Sequence, residues 1–155
     1  MDASRTPLHD YADEIGQYFH GHGLPRILGR ILGWLLVCEP AHQSADELAE
    51  ALNVSRGSVS MAVNSGQRSG FLQVHTVPGE RRTYYRLRPG FWLDEAAEKA
   101  RVANEWIKMV ERGLGLLDGE SAQRTQRLAE AHEMYTFLAE QYSRIETLWH
   151  ERQKE

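Results

Sequence analysis

Residues 44–70, SADELAEALNVSRGSVSMAVNSGQRSG, decide the fold of this chain. Ser44 and Glu47 have the spacing of a capping box, in which each side chain satisfies a backbone N–H of the first helical turn. Asn53 ends this first predicted helix, and Ser55 is placed to cap a second one. The stretch therefore predicts two short helices joined by a tight turn.

The second predicted helix has two unlike faces, and Gly70 follows it at the position of a C-terminal cap. One face carries apolar or small residues: Val59, Ala62, Val63 and Gly66. The opposite face carries small, polar and basic residues: Gly57, Ser60, Met61, Asn64 and Arg68. A helix with such an outer face, set after a short turn, suits the major groove of DNA.

Two segments with strand patterns follow this helix. Residues 71–77 alternate apolar and polar side chains, as a half-buried strand does. Pro78 and Gly79 predict a turn, after which residues 81–88 predict a second, basic strand. A basic hairpin behind a helix-turn-helix predicts a winged helix.

With these segments in place, the chain resembles the MarR-type transcriptional regulators, and most closely their GbsR-like branch. The resemblance rests on NVSRGSVSMAV at residues 53–63, RSGFLQV at residues 68–74 and VPGERRTYYRLRPGFW at residues 77–92. It implies a mostly α protein with a small β-wing. The implied architecture is a winged helix-turn-helix with N- and C-terminal dimerisation helices.

Charge is distributed unevenly over the 155 residues, whose net charge is −4. Residues 26–90 hold eight arginines and five acidic side chains, net +3, whereas residues 1–25 are net −3 and residues 91–155 are net −4. A basic module on an acidic chain is the footprint expected of a DNA-binding unit. It disfavours the alternative function, a winged-helix protein-interaction module without DNA binding, which has no need of such a module.

The N-terminal part of the chain predicts two helices. Apolar residues recur every three or four positions from Leu8 to Phe19, which predicts a short amphipathic helix that supports the dimer within residues 1–23. The helix predicted over residues 24–38 is the most apolar of the chain. We expect it to form the centre of a DNA-binding domain over residues 24–90.

Residues 91–155 predict a helical dimerisation region of two long helices. The first is expected to be capped by Asp94 and to reach about Leu117, and the second to span residues 121–152. Apolar residues of the second form a heptad seam: Leu128, Ala131, Tyr135, Leu138, Tyr142, Ile145 and Trp149. Such a seam needs a partner helix, either its antiparallel neighbour or a second chain. The resemblance implies a second chain, because terminal helices form the dimer interface of MarR-type proteins, and we expect the antiparallel neighbour to contribute as well.

Gly66 departs from the family pattern, which usually places a leucine on the buried face at this point. Glycine in a helix interior costs about 1 kcal/mol relative to alanine, and the missing side chain leaves a gap. Two interpretations follow. Either a neighbour such as Met61 or Phe71 fills the gap, or the recognition helix ends early.

The sequence contains little that indicates catalysis, a cofactor or a metal. His20 and His22 lie in a glycine-rich connection without companion ligands nearby in sequence, so we expect no metal site. Cys38 is the only cysteine, which excludes an intrachain disulfide and fits a reducing cytoplasm. No apolar run is long enough to span a membrane. We therefore expect a cytoplasmic protein that is not an enzyme.

Two roles are open for Cys38. Some MarR-type proteins sense oxidants through a cysteine, and the other role is simple packing at a helix end. No basic residue lies close in sequence to lower the pKa of this thiol, which favours packing.

The function predicted is that of a sequence-specific, DNA-binding transcriptional regulator. We expect a ligand-responsive repressor that acts as a homodimer on a pseudo-palindromic site in double-stranded DNA, with an effector whose identity the sequence does not reveal. The candidate base-contacting residues are Ser60, Met61 and Asn64, with Arg68 on the same face. The candidate phosphate-contacting residues at the helix start are Ser55, Arg56 and Ser58. Arg81 and Arg82 at the wing are expected to bind a phosphate or to enter the minor groove.

Overall fold

A computed structural model describes residues 6–154, so the first five residues of the predicted N-terminal segment lie outside the described part of the chain. The helices are α1 (Pro7–Gly21), α2 (Arg26–Leu35), α3 (Ala45–Leu52), α4 (Arg56–Arg68), α5 (Phe91–Leu116) and α6 (Ala122–Arg152). The strands are β1 (Gln43–Ser44), β2 (Leu72–His75) and β3 (Tyr84–Leu87), in the antiparallel order β1-β3-β2. The predicted fold, mostly α with a small β-wing, is confirmed.

The chain divides after Phe91 into two compact units. The first contains α1 to α4 and the sheet, and its core is centred on α2, as predicted. That core is formed by buried aliphatic side chains of three helices and β2: Leu28, Ile31, Leu32, Leu35, Leu48, Leu52, Val59, Val63 and Leu72. The helix predicted over residues 24–38 is shorter than expected, because it ends at Leu35 and leaves Leu36 exposed.

Helix α1 packs closely on α2 because glycine and alanine face each other where the two helices meet. A Cβ added to Gly29 would lie 3.0 Å from the Cα of Gly16, and one added to Gly33 would lie 3.0 Å from the Cα of Ala12. The two backbones therefore approach closely at these positions, where a Cβ on either glycine of α2 would be crowded. Ala12 is fully buried as a result.

The capping box at the start of α3 is present as predicted. The backbone N–H of Glu47 donates to the hydroxyl of Ser44 at 3.3 Å, and the N–H of Ser44 donates to the Glu47 carboxylate at 2.7 Å. The bond from the Ser44 N–H to the carboxylate is the largest cause of the lowered pKa of Glu47. Asn53 ends the helix in the left-handed conformation, with φ of 50°.

The end of α4 settles the question raised by Gly66. The N–H of Gly70 donates to the carbonyl of Gln67 at 3.1 Å, and the N–H of Phe71 donates to that of Gly66 at 2.9 Å. This is a Schellman motif, for which Gly70 supplies the positive φ of 76°. The recognition helix therefore does not end early.

The gap at Gly66 is filled by side chains that sequence analysis did not identify. A Cβ at this buried position would lie 2.7 Å from Leu72 Cδ1 and 2.9 Å from Leu28 Cδ1. The proposed fillers, Met61 and Phe71, were wrong: Met61 is exposed on the opposite face of α4. Glycine is required here because α2 and β2 reach the helix at the same point.

The sheet has one strand more than predicted and shorter strands than predicted. Gln43 and Ser44 form β1 and pair with Tyr85 and Tyr84. A two-residue strand shows no alternation in sequence, so this region was not predicted to be a strand. The second wing strand begins at Tyr84, not at residue 81.

The second unit is an antiparallel pair formed by α5 and α6. A Cβ added to Gly113 would lie 3.0 Å from Leu128 Cδ1, so the two helices approach closely there. The rings of Trp106 and Tyr135 have centroids 5.9 Å apart. Helix α5 begins at Phe91 and not at the predicted cap Asp94. Phe91, the last residue of the first unit, is buried and packs edge-on against Phe71 of the same unit, with ring centroids 5.7 Å apart.

Candidate DNA interface

Helix α4 presents the predicted polar face to solvent. Its apolar positions are buried: Val59, Ala62, Val63 and Gly66. The candidate base-contacting residues Ser60, Met61 and Asn64 are exposed, as is Arg68 one turn further on. Met61 has 71% of its surface exposed although it is a large apolar residue. An exposed thioether beside an amide and a hydroxyl has the chemistry for both apolar and hydrogen-bonding contacts to base edges.

The start of α4 is organised by its N-cap. The hydroxyl of Ser55 accepts from the N–H of Ser58 at 3.1 Å, and the two hydroxyls lie 2.8 Å apart. The N–H groups of a first helical turn have no acceptor within their own helix, and the helix dipole favours an anion there. The start of α4 therefore has the chemistry of a phosphate site, although the Ser55 oxygen and the Ser58 N–H already bond to each other.

Arg56 has a partner that sequence analysis missed. Its Nε lies 2.9 Å from a carboxylate oxygen of Asp46 in α3, and both side chains are largely exposed. Exposed ion pairs of this kind contribute at most about 1 kcal/mol. Arg56 is therefore held near the helix start, and leaving this ion pair to bind another anion costs little free energy. The acidic first turn of α3 indicated that a basic partner could lie nearby, but the spacing of residues does not show which arginine forms the ion pair.

The wing places Arg81 and Arg82 in the connection between β2 and β3, where both are exposed. The predicted turn at Pro78 and Gly79 is confirmed: Gly79 has φ of 86°, and the N–H of Glu80 donates to the carbonyl of Val77 at 3.1 Å. At the base of the wing, the hydroxyl of Tyr84 donates to the carboxylate of Glu80. The tip is thus anchored on one side while its arginines are exposed to solvent.

Two further arginines of the wing form hydrogen bonds within the fold. With the Gln73 amide oriented so that its oxygen faces Arg86, that oxygen accepts from the guanidinium at 2.6 and 2.7 Å. Arg88 Nε donates to the carbonyl of Gly70 at 2.6 Å and so joins the end of β3 to the end of α4. Positive charge in the wing is therefore divided between residues that fix its position and residues at its tip.

A cluster of rings packs the base of the wing against the segment before β1. The rings of His42 and His75 have centroids 4.5 Å apart, and His42 meets Tyr84 edge-on at 5.0 Å. Desolvation, with His42 and Arg86 nearby, lowers the pKa of His75. The residues of this cluster come from three separate segments, so no sequence pattern indicated it.

The histidines of the glycine-rich connection make local contacts. The Nδ1 atoms of His20 and His22 lie 3.4 and 2.8 Å from the backbone carbonyls of Leu24 and Tyr18. Within residues 6–154, no group of three or more His, Cys, Asp or Glu side chains is placed to hold a metal ion. Over the same residues, no helix has the length and apolarity needed to cross a membrane.

Cys38 lies half-buried just beyond the end of α2, and its thiol donates to the carbonyl of Pro40 at 3.3 Å. Burial raises the pKa of this thiol, and the nearby carboxylate of Glu47 acts in the same direction. A raised pKa lowers the fraction of reactive thiolate. The environment therefore supports packing rather than oxidant sensing.

Comparison with known proteins adds family matches on both sides of Phe91. Residues 22–83 match a model described as MarR family, and residues 90–152 match a model described as MmpR5-like MarR family transcriptional regulator. The chain is 37% identical over 129 residues to the HTH-type transcriptional regulator MmpR5 of Mycobacterium tuberculosis (strain ATCC 25618 / H37Rv), and the match covers 83% of this chain and 78% of that protein.

A solved structure described as a transcriptional regulator is similar over almost the entire chain. It shares 34% sequence identity and has a TM-score of 0.70, covering 96% of this chain and 99% of the solved one. The similarity thus includes the long C-terminal helices as well as the winged helix.

Proposed function

Because the chain belongs to the MarR family of DNA-binding transcriptional regulators, we propose that it is a repressor that acts as a homodimer on a pseudo-palindromic site in double-stranded DNA. Membership of a regulator family agrees with the prediction that the chain is not an enzyme. It also argues against a winged helix used for protein interaction alone. The observation that carries the proposal is the exposed polar face of α4, set beside a basic wing in the same unit.

Base contacts are assigned to the exposed face of α4. Asn64 is suited to a bidentate bond with adenine, Met61 to contact with a thymine methyl, and Ser60 to a base edge of either kind. The phosphate contacts proposed at the start of α4 come from Ser55, Arg56 and Ser58, with the helix N-terminus adding favourable N–H groups. Arg68 lies on the proposed DNA-facing side of α4, at its end. Arg81 and Arg82 bind the backbone or the minor groove beside the wing.

Dimerisation is assigned to the second unit, with support from residues 1–23. Helices α5 and α6 leave many large apolar side chains exposed: Val102, Trp106, Met109, Leu116, Met134, Tyr135, Phe137, Ile145, Leu148 and Trp149. Extensive exposed apolar surface is typical of a protein–protein interface. A second copy of the chain supplies a matching surface, and two-fold symmetry places two recognition helices in successive major grooves, about 34 Å apart.

Repression follows most simply if the bound dimer blocks access of the polymerase to the promoter. A small-molecule effector would act by changing the spacing of the two recognition helices. The GbsR-like placement stays a prediction from residues 53–63, 68–74 and 77–92. A DNA partner implies a cytoplasmic location.

The proposal is tested by selecting genomic fragments that the purified full-length protein binds. We expect enrichment of an inverted repeat whose half-sites are about 10 base pairs apart, or a multiple of that distance. Asn64→Ala provides a matched control, since it should select the same fragments poorly while retaining weak binding to random DNA. Enrichment of no common sequence by the wild-type protein would contradict the proposal.

A further inference from the structure

Arg30 of α2 lies at the meeting point of three helices. Its Nε donates to the carboxylate of Asp13 in α1, and its Nη2 donates to the carbonyl of Leu52 in α3 at 2.9 Å. Only 19% of the Arg30 side chain is exposed. One guanidinium thus joins α1 and α2 to the last residue of α3.

The surface of α1 is shaped to admit this side chain. A Cβ on Gly16 would lie 2.5 Å from Arg30 Cγ, so a larger residue at this position would displace the stem of the arginine. The planar guanidinium is suited to two acceptors at once because its N–H groups form a fixed fork. A lysine ammonium in the same place has no such fork.

The carbonyl that Arg30 binds stands immediately before the turn of the helix-turn-helix. Leu52 ends α3, Asn53 turns the chain with a positive φ, and Ser55 caps α4. Carbonyls at a helix C-terminus lack partners within the helix, and a cation is favourable there. The position of Leu52 therefore sets where the turn begins and, through it, where the recognition helix starts.

Direct packing supports α4 less on this side than on its buried face. A groove of about 600 Å³ opens between α1, α2 and α4, lined by Asp13 and Arg30 on one side and by Ser58, Met61 and Ser65 of α4 on the other. The Arg30 bridge beside this groove ends on the Leu52 carbonyl, and the chain reaches α4 from there through the turn at Asn53. Met61, a proposed base-contacting residue, lies at the edge of the same groove.

We propose that Arg30 is a positioning residue for DNA recognition, which fixes the start of α4 relative to α1 through Asp13 and the Leu52 carbonyl. The proposal rests on the assignment of α4 as the base-contacting helix. It predicts that loss of the bridge reduces discrimination between sequences more than it reduces general affinity for DNA. A purely structural residue would change both in proportion.

The test compares full-length variants on a selected site and on a random duplex. Arg30→Met keeps the apolar stem and removes the bridge, and we expect about a tenfold loss of affinity for the selected site with little change on random DNA. Arg26→Met is the matched control: it removes a positive charge one turn earlier on α2, from an exposed residue that lines the same groove. It should weaken binding equally on both duplexes.

Two milder variants keep the test decisive if Arg30→Met folds poorly. Asp13→Asn retains the Leu52 bond and should reduce the ratio of specific to random affinity by a smaller factor. Arg30→Lys retains the charge without the fork and should also reduce the ratio. All titrations are made at a temperature where circular dichroism shows each variant to be folded.

The outcomes separate this inference from the function on which it rests. Wild-type discrimination together with an unchanged ratio in the Arg30 variants, or full recovery by Arg30→Lys, would overturn the positioning role and leave the proposed function intact. A wild-type protein that does not distinguish the two duplexes would overturn the proposed function, and the positioning role with it.

Discussion

The two units of this chain bury their apolar residues to very different extents. Among the described residues, the largest fully buried side chains are Leu28, Ile31, Leu32, Leu48, Val59 and Val63 in the first unit, but only Val110 in the second. The first unit closes its own core and has no net charge, because the net +3 of residues 26–90 offsets the net −3 of residues 1–25. The second is acidic and leaves large apolar side chains along both of its helices exposed.

This difference indicates a division of labour within one chain. Burial of apolar surface contributes roughly 25 cal/mol per Å², so a unit that leaves such surface in water is only partly stabilised by its own contacts. The winged unit is therefore expected to keep its fold through internal packing, and the helical pair to gain stability from association. Each of the following changes alters one of the two units.

The largest effect is expected from removing α6 by truncation after Asp118. The second unit then loses its antiparallel partner and, on the proposed mechanism, its dimer interface. A monomer binds one half-site only, so DNA affinity should fall by about a hundredfold or more. Sedimentation and DNA titration measure the two effects together. A truncated chain that still dimerises would place the interface in the N-terminal helix.

A point substitution makes the same test without removing a helix. Phe137→Asp replaces an apolar side chain of α6, 57% exposed in the single chain, with a charged one. It should weaken the dimer and leave the helix content unchanged. Gln141→Asp adds the same charge at an exposed polar position of α6 and serves as the control. Equal dimer dissociation constants for the two variants would remove α6 from the proposed interface.

The next largest effect concerns the core of the winged unit. Gly66→Ala inserts a methyl group where Leu72 and Leu28 atoms would be less than 3.0 Å away, and overpacking of this kind typically costs about 1–3 kcal/mol. Gly57→Ala on the exposed face meets only the Ser55 hydroxyl at 3.9 Å and should instead stabilise α4, by about 1 kcal/mol at most. Denaturant unfolding measures both. A stabilised Gly66→Ala protein would mean that the core can move to admit the group.

A smaller, pH-dependent effect is expected at the capping box of α3. Because the folded state lowers the pKa of Glu47, its carboxylate stabilises the fold above the ordinary pKa of 4.5, and this contribution is lost as the pH falls through the lowered value. Glu47→Gln should therefore be less stable than wild type at neutral pH, by about 1 kcal/mol at most. The difference should shrink as the pH falls below 4.5 in unfolding experiments. A stability difference between the two proteins that does not depend on pH would mean that the shape of the Glu47 side chain matters here and its charge does not.

The smallest effect is expected at Cys38. Burial raises the pKa of this thiol, so Cys38→Ser should leave DNA binding and its response to peroxide unchanged. Mobility-shift titrations with and without peroxide provide the measurement. A peroxide-dependent loss of binding that disappears in the variant would assign a sensing role to the cysteine.

Features set by neighbouring residues were predicted well from the sequence. The capping box of Ser44 and Glu47, the two faces of α4 and the turn at Gly79 each depend on spacings of a few residues, which the sequence displays directly. The candidate residues on α4 accordingly lie where the helical period places them.

Features that join distant segments were not predicted. The gap at Gly66 is filled by Leu28, which comes earlier in the chain, and by Leu72, which comes later. Strand β1 pairs with β3, about forty residues further along the chain. Arg30 of α2 donates to the carbonyl of Leu52 in α3. Nothing in residue spacing specifies such contacts, because they depend on how the elements pack. The pairing of Arg56 with Asp46 was missed for the same reason.

On the proposed mechanism, α4 discriminates between sequences while the wing supplies affinity for the DNA backbone. This division is tested by titrating Asn64→Ala and the double variant Arg81→Ala with Arg82→Ala on a selected site and on random DNA at several salt concentrations. Asn64→Ala should cost about 1–3 kcal/mol on the selected site, with little change on random DNA or in the salt dependence. The double variant should weaken binding to both duplexes alike, and its salt slope should be shallower by about 0.9 for each phosphate that the wing no longer neutralises. Equal reductions in affinity and equal salt slopes for the two variants would contradict the division between base and backbone contacts.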